Sequence, residues 1–454
     1  MSPDAPVAVV GAGAAGLMAA HALRTAGREV VVLEASPRVG GAIRTIARDG
    51  WLLEGGPNTV AAVPPPVEAV LDAAGILAER IVPDAAAARR FLVHDGRPVA
   101  VPSSPAEMVS TPLLSVAGRL RLLKEPFVPR GGHELETVAE FAARRLGPEA
   151  AARFIDPVVS GTSGGDPAAL LARFAFPQLV EFERTAGSIL KGRMRAARTA
   201  RREGRRPGSL WSCRDGLGRV PELLAAALGD RVRLGAPVVA VRAGAGGGFT
   251  VGTAAGDTLE ASGVILAVPA AAFAQLHLDL PGAPDLSPIA RMPHASLTVV
   301  SLGFTRDAVA HPLDGFGVLA PSAAGRRILG TLFPSSIFPG RAPAGHVLLT
   351  SFVGGVGRDA LADLPDAELQ ALVTAELAEL LGVRGAPVLA EVTRWPAALP
   401  QAVAGHAERL AVAGAVEAAV PGMVFCGSWR DGLAVGEVMR GGLSAAARLP
   451  AATR

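Results

Sequence analysis

Gly11, Gly13 and Gly16 stand at G-x-G-x-x-G spacing, and Glu34 follows them by about twenty residues. The first glycine of such a set permits a tight turn. The second lets a backbone approach a pyrophosphate, and the third lets a helix sit close on a strand. A carboxylate in that register accepts from ribose hydroxyls and disfavours an added phosphate there. The chemistry indicated is recognition of an adenine dinucleotide, against the plainer reading of a structural glycine turn. The elements that must hold these residues are a strand at Val7–Val10, an alanine-rich helix and a second apolar strand running to Glu34. This is a βαβ unit whose helix N-terminus receives the phosphates.

A second set of glycines narrows the ligand. Val32-Leu-Glu34-Ala35 is followed by Gly40-Gly41-Ala42, and Glu54-Gly-Gly56-Pro57-Asn58 comes shortly after. A nicotinamide dinucleotide needs no second cradle just past the ribose acid. FAD bound in an extended conformation does, so a flavin is expected. Near the C-terminus, Gly432-Leu-Ala-Val-Gly436 opens a helix over Glu437–Leu449. Its N–H groups could meet a flavin carbonyl as negative charge develops on reduction; a simple strand–turn–helix closure is the alternative.

The chain has 454 residues, which calls for two or three domains. Half of the residues are apolar, much of that from alanine, yet no run of eighteen apolar residues occurs and no membrane-spanning helix is expected. The N-terminus enters a strand directly, without a leader pattern. Cys213 and Cys426 fit neither a metal nor a disulfide spacing, and a reducing cytoplasmic setting suits them. The net charge is +3, and Lys124 and Lys191 are the only lysines among 44 basic residues. Arginine therefore stands at many positions for compositional reasons alone.

In order along the chain, Phe91–Val101 reads as a hairpin turning at Asp95-Gly96, with Arg89 and Arg90 at its entrance. That pair is either solvated or part of a site. Thr111–Phe127 repeats apolar residues at helical spacing with Arg119, Arg121 and Lys124 between them. Such a helix lies at a membrane interface or packs on its own domain. Residues 105–200 read as an inserted all-α segment. Lys191–Arg206 is the most basic run and is expected to be a solvated loop, with anionic lipid or a polyanion as the other reading. It lacks interleaved aromatics, so nucleic acid is not an expected partner. Strand-like runs at Leu297–Phe304, Phe316–Leu319, Arg327–Phe333 and Val347–Val353 suggest an antiparallel sheet; Ala367–Leu381 reads as a helix and Val388–Trp395 as a strand.

Over nearly its whole length the sequence resembles the protoporphyrinogen oxidase family. The resemblance is carried by the glycine set, Leu33-Glu-Ala35, Glu54-x-Gly56-Pro57-Asn58, Arg89-Arg90-Phe91, Phe176-Pro177, Gly315-Phe316-Gly317, Phe333-Pro-Ser-Ser-x-Phe338-Pro339, Gly354-Gly355 and Trp395-x-x-x-x-Pro400-Gln401. It implies an α/β plus α+β protein of three parts. These are a discontinuous Rossmann-like FAD domain (residues 1–85, 205–270 and 415–454), a substrate domain with a large antiparallel sheet (86–104 and 271–414), and an inserted all-α, membrane-facing domain (105–204).

By motif match, the resemblance implies flavin contacts at Gly11, Ala12, Gly13, Gly16, Glu34, Ala35, Gly41, Ala42, Gly56, Pro57, Asn58, Thr59, the backbone of Val238, Trp395, Gln401, Leu433, Ala434 and Val435. It implies porphyrinogen contacts at Arg90, Phe316, Gly317, Leu319, Leu332 and Phe352, with Arg90 pairing a propionate. The implied reaction removes six electrons and six protons from protoporphyrinogen IX over three flavin cycles, with molecular oxygen as acceptor. No catalytic side chain and no metal is implied, because the flavin carries the hard step. A cytoplasmic protein attached peripherally to the inner face of the membrane, with a homodimer as a further partner state, completes the expectation.

Departures from the family pattern lie at Gly161-Thr-Ser-Gly-Gly-Asp166, Ala402, Gly436-Glu-Val438 and Gly427-Ser-Trp-Arg-Asp-Gly432. The lost aromatics widen the expected pocket. The rival readings are a coproporphyrinogen III oxidase, whose four carboxylates want more cations, a carotenoid desaturase or amine oxidase, and a non-enzymatic escort or prenyl-binding protein on the same scaffold.

Overall fold

The computed structural model describes residues 5–202, 210–244 and 247–450. Val7–Val10 and Val30–Leu33 pair in parallel, and Gly263–Leu266, Met423–Phe425 and Val232–Arg233 complete a five-stranded parallel sheet. Strands of Val, Ile and Leu without polar alternation belong in such a sheet because both faces are covered. Val7 and Val9 pack under the helices Ala14–Thr25, Arg219–Leu228 and Val435–Arg448. Ala8 and Val10 pack on the other side, against a four-stranded sheet that includes Val238–Ala243 and Phe249–Thr253, and against the helix His406–Ala419. That helix and the short one at Ser428–Asp431 were not expected from sequence. The turn between Val238–Ala243 and Phe249–Thr253 closes through Gly244 N–H to Gly248 O, with residues 245–246 outside the described set.

The second large element is a seven-stranded sheet. Its order from one edge is Leu389–Pro400, His294–Thr305, His346–Gly354, Ile328–Leu332, Gly317–Leu319, Arg90–His94 and Arg97–Ala100. The expected antiparallel pattern needs one correction: Gly317–Leu319 runs parallel to Arg90–His94. The hairpin that holds Arg90 is contributed from far upstream, so its direction is not set by a tight turn with its neighbour. Asp95 and Gly96 both have positive φ, 48° and 74°, the primed turn whose twist suits two strands. The apolar helix Asp366–Leu381 covers one face of this sheet. The opposite face meets the hairpin Thr45–Arg48/Trp51–Glu54; a Cβ on Gly303 would lie 2.4 Å from the Trp51 ring.

Between Ala100 and Ser212 every named element among the described residues is helical. Two expectations change here. The helix expected over Thr111–Phe127 is confined to Val116–Leu123 and followed by a short turn at Glu125–Phe127, while Leu113 and Leu114 are buried ahead of it. The basic run expected as a loop forms the helix Ile189–Arg202; Glu203, Arg205 and Arg206 lie outside the described residues. Its start is held by Ser188, whose hydroxyl accepts from the Lys191 N–H, and by a distant carboxylate. The buried Glu125 carboxylate accepts from the Ile189 and Leu190 N–H groups and the Ser188 hydroxyl, and pairs with the fully buried Arg145. A carboxylate satisfying orphan N–H groups at a helix start stabilises that helix through hydrogen bonds and the dipole together.

Candidate active site

The opening glycines form a cradle with little tolerance. A Cβ on Gly16 would lie 1.9 Å from the Gly11 carbonyl oxygen, so the helix sits against the turn only because residue 16 is glycine. Gly13 is the opposite case: a Cβ there meets no protein atom within 4 Å and would project into open space at the helix start. Glu34 reaches back to this turn, accepting from the Ala12 N–H at 2.7 Å and the Ser36 N–H at 2.9 Å. The second glycine pair runs alongside, with the Gly40 N–H donating to the Ala12 carbonyl. Arg38, absent from the expected contacts, pins this segment by donating to the carbonyls of Val39, Gly41 and Ile43. Its position before a Gly-Gly turn was the available signal.

Part of the remaining expected set lies together around Ala42. Gly56 lies so near Ala42 that a Cβ would stand 2.0 Å from the Ala42 carbonyl oxygen. The Asn58 side chain folds onto the Gly56 carbonyl, leaving Pro57 and Thr59 half-buried. The Trp395 indole donates to the Gly55 carbonyl at 2.6 Å, which ties the substrate sheet to this loop. Leu433 and Ala434 precede the helix Val435–Arg448, which begins two residues earlier than expected from sequence; a Cβ on Gly436 would lie 3.0 Å from Val63. The short helix Ser428–Asp431 abuts the strand that carries Trp395. Ala35 is exposed beside Glu34, and Val238 begins a strand just after Ala236, whose N–H donates to the Glu34 carbonyl.

Gln401 is held differently from the rest. It is buried, and its amide nitrogen donates to both the Ser163 and Leu399 carbonyls at 2.9 Å. Two carbonyl partners fix the amide's orientation, and Oε1 is left without a partner. Gln401 therefore joins the end of the inserted helix Asp156–Ser163 to the sheet.

Of the expected substrate residues, Arg90, Gly317, Leu319, Leu332 and Phe352 share one face of the seven-stranded sheet. The register aligns Thr393, Val299, Phe352, Gly330, Leu319 and Leu92 in one row across the strands. Ser301, Thr350, Leu332, Gly317 and Arg90 form the next row. Side chains in such rows are neighbours on a pleated surface. Phe316 precedes Gly317, and the Arg90 guanidinium lies over its ring, 5.2 Å from the centroid. The inserted helix roofs part of this face, since a Cβ on Gly161 would stand 2.5 Å from a Leu319 methyl. Leu92, Gly330 and Val299 belong to the same rows and were missed, because a strand's register is invisible before its partners are known.

The charges around the face are few. Arg89 is engaged by Asp314 at 2.6 Å. Arg326 and Arg327 bind Glu376 on the helix that covers the other face, which removes both from the slot. Arg90 is exposed and has no carboxylate partner among the described residues. A separate open cavity of about 650 Å³, lined in part by Arg48, Trp51, Ile81, Arg214, Asp215 and Gly340, includes none of the expected site residues. Among the described residues no His, Cys, Asp and Glu group is placed to hold a metal.

Comparison with known proteins now decides the family. Residues 14–450 match the flavin containing amine oxidoreductases. The chain belongs to that family. It is 32% identical to protoporphyrinogen oxidase 2 of Arabidopsis thaliana over 97% of this chain and 92% of the relative. It is 27% identical to coproporphyrinogen III oxidase of Bacillus subtilis (strain 168), covering 97% of this chain and 96% of that one. A crystal structure from Exiguobacterium sp. 255-15, provisionally named a protoporphyrinogen oxidase, superposes with a TM-score of 0.81 at 25% identity, covering 98% of each chain.

The chain is thus a flavin oxidoreductase whose cofactor is FAD. The residues present fit that group: open space lies over Gly13, a carboxylate stands at the ribose position, and the Gly40–Ala42 and Gly56–Thr59 loops close on each other beside Trp395. When bound, FAD supplies the two-electron chemistry.

Proposed function

We propose that this protein oxidises protoporphyrinogen IX to protoporphyrin IX, with molecular oxygen as the final acceptor. One observation carries the reading. A broad face lined by Leu92, Phe352, Leu319 and Leu332 ends at Arg90, which is held over Phe316 and has no carboxylate partner among the described residues, and its other end is the strand that carries Trp395. A tetrapyrrole has this character: a large apolar ring with charge confined to its propionate edge. Arg90 binds a propionate, Phe316, Leu319, Leu332 and Phe352 contact the ring, Gly317 leaves room for it, and Trp395 with the loops around Gly56 borders the redox centre. Burying the ring against this face excludes water from the reacting carbons.

The flavin contacts proposed are Gly11–Gly13, Gly16, Glu34, Ala35, Gly41, Ala42, Gly56–Thr59, Val238, Trp395, Gln401 and Leu433–Val435. The unpartnered Oε1 of Gln401 supports its inclusion, since a buried acceptor calls for a donor.

Coproporphyrinogen III is the second reading, favoured by the Bacillus subtilis relative. Its four carboxylates need more counter-charges than Arg90 alone, so the dicarboxylate is preferred. Turnover on both porphyrinogens, followed by porphyrin fluorescence, separates the two.

Peripheral attachment to a membrane is also proposed. Val109, Val116, Leu120, Leu123 and Phe127 are all exposed, Phe127 to 83%, and the arginine-rich helix Ile189–Arg202 sets Lys191 beside Phe127. Exposed apolar side chains rimmed by cations suit an anionic bilayer surface. No helix among the described residues is long and apolar enough to cross a membrane.

A further inference from the structure

Glu54 is a buried carboxyl group that the proposed reaction does not use. It is the last residue of its hairpin strand, opposite Thr45, and from this first register pair the chain runs outward in two directions. On one side Arg44 leads back to Gly40–Ala42. On the other, Gly55 leads on to Gly56–Thr59. The two loops that close on each other beside Trp395 therefore both hang from the Thr45–Glu54 pair.

That pair is anchored to a third segment. The Leu217 N–H donates to Glu54 Oε1 at 2.8 Å, and the Gly218 N–H donates to the Thr45 hydroxyl at 2.8 Å. The hydroxyl in turn donates to Glu54 Oε2 at 2.7 Å. Leu217 and Gly218 lead into the helix Arg219–Leu228. Thr45 packs so tightly on this turn that a Cβ on Gly216 would lie 2.2 Å from its methyl group. From the substrate side, the buried Arg341 guanidinium stands 4.0 Å from Glu54 and donates to the Cys213 and Arg214 carbonyls. A buried carboxyl costs several kcal/mol in desolvation unless it is satisfied. Here its hydrogen-bond partners, Thr45 and Leu217, lie on the segments that carry or adjoin the flavin loops.

We propose that Glu54 and Thr45 are positioning residues for the cofactor. They fix Gly40–Ala42 and Gly56–Thr59 at the separation in which the loops close on the flavin. The proposal rests on the flavin site assigned above and not on the porphyrinogen. Removing either anchor frees both loops at once, since the two side chains engage each other and the Leu217–Gly218 turn. Glutamine can preserve the arrangement at position 54, because its carbonyl still accepts from Leu217 and its amide can donate to the Thr45 oxygen.

The test is FAD affinity, read by the change in flavin fluorescence on titrating apoprotein, together with the shape of the visible absorption band. Thr45→Val, which puts a methyl in place of the hydroxyl and so removes both hydrogen bonds it makes, should raise Kd at least about tenfold. Glu54→Leu should raise it further and shift the band, whereas Glu54→Gln should stay close to the parent in both. Parent-like Kd and band shape in Thr45→Val and Glu54→Leu would overturn the proposal; so would a Glu54→Gln variant as impaired as Glu54→Leu. If Glu54→Leu does not fold, Thr45→Val and Glu54→Gln decide the matter alone. Porphyrinogen turnover does not enter this readout, so an error in the substrate assignment leaves it unmoved.

Discussion

The guanidinium of Arg90 lies 5.2 Å from the centroid of the Phe316 ring, although the two residues come from segments more than two hundred positions apart. The parallel pairing of Arg90–His94 with Gly317–Leu319 brings them together. Stacking on an aromatic face holds the cation at one end of the apolar rows without neutralising it. Its neighbour Arg89 is already spent on Asp314. Arg90→Ala should therefore raise KM about tenfold with little change in kcat, because the pair binds substrate and transition state alike. Steady-state kinetics on protoporphyrinogen checks this, and an unchanged KM removes Arg90 from the site.

Gly13 and Gly16 should fail in different ways. Gly13→Val projects into open space, so the variant should fold and melt close to the parent apoprotein while retaining almost no flavin. Gly16→Val collides with the Gly11 carbonyl and should lose stability first, by several kcal/mol. The ratio of visible to ultraviolet absorbance gives the flavin content, and thermal melts give the stability. Stoichiometric flavin in Gly13→Val would contradict the cradle.

How far the sequence led depended on how local the determinant was. The first βαβ unit was legible because its glycines, strands and acid sit within one short stretch. Likewise the Asp95-Gly96 turn announced its hairpin. Rows across the seven-stranded sheet were not, since they depend on pairings between distant strands and on register shifts beside Ala295 and Ile328. The basic helix was read as a loop because its apolar positions are few and Glu125, the carboxylate that reinforces its Ser188 cap, lies 63 residues before Ser188. Glu54 appeared only as part of a motif, since its partners are Thr45 and a turn 163 residues further on.

Two buried groups should give opposite pH slopes. Burial pushes the Glu54 carboxyl up to about 7, against partial relief from Thr45, Leu217 and Arg341. Between its ordinary value of 4.5 and 7 the folded state binds more protons, so this group's contribution to stability falls as pH rises. His406 is lowered to about 4, by burial first and then by the charges of Arg409 and Arg173. Between 4 and its ordinary 6.5 the unfolded chain binds more protons, so its contribution is lost as pH falls.

Each effect is on the order of 3 kcal/mol at full extent, and the two partly cancel in the parent. Urea unfolding between about pH 5 and pH 7 should show Glu54→Gln gaining stability with rising pH relative to the parent, and His406→Gln losing it. Parallel profiles for all three proteins would contradict these assignments.

The exposed side chains of Leu123 and Phe127 give a direct handle on the proposed membrane attachment. Replacing both with glutamate should reduce co-sedimentation with vesicles rich in phosphatidylglycerol about tenfold, while turnover in detergent stays at the parent level. Equal co-sedimentation of variant and parent would place the docking surface elsewhere.

The most direct test is aerobic turnover by purified, yellow protein given protoporphyrinogen IX and coproporphyrinogen III side by side. Faster appearance of protoporphyrin fluorescence, with about three molecules of oxygen consumed per porphyrin formed, is the predicted result. Preference for the tetracarboxylate, or no porphyrin from either compound by a fully flavin-loaded preparation, would contradict it.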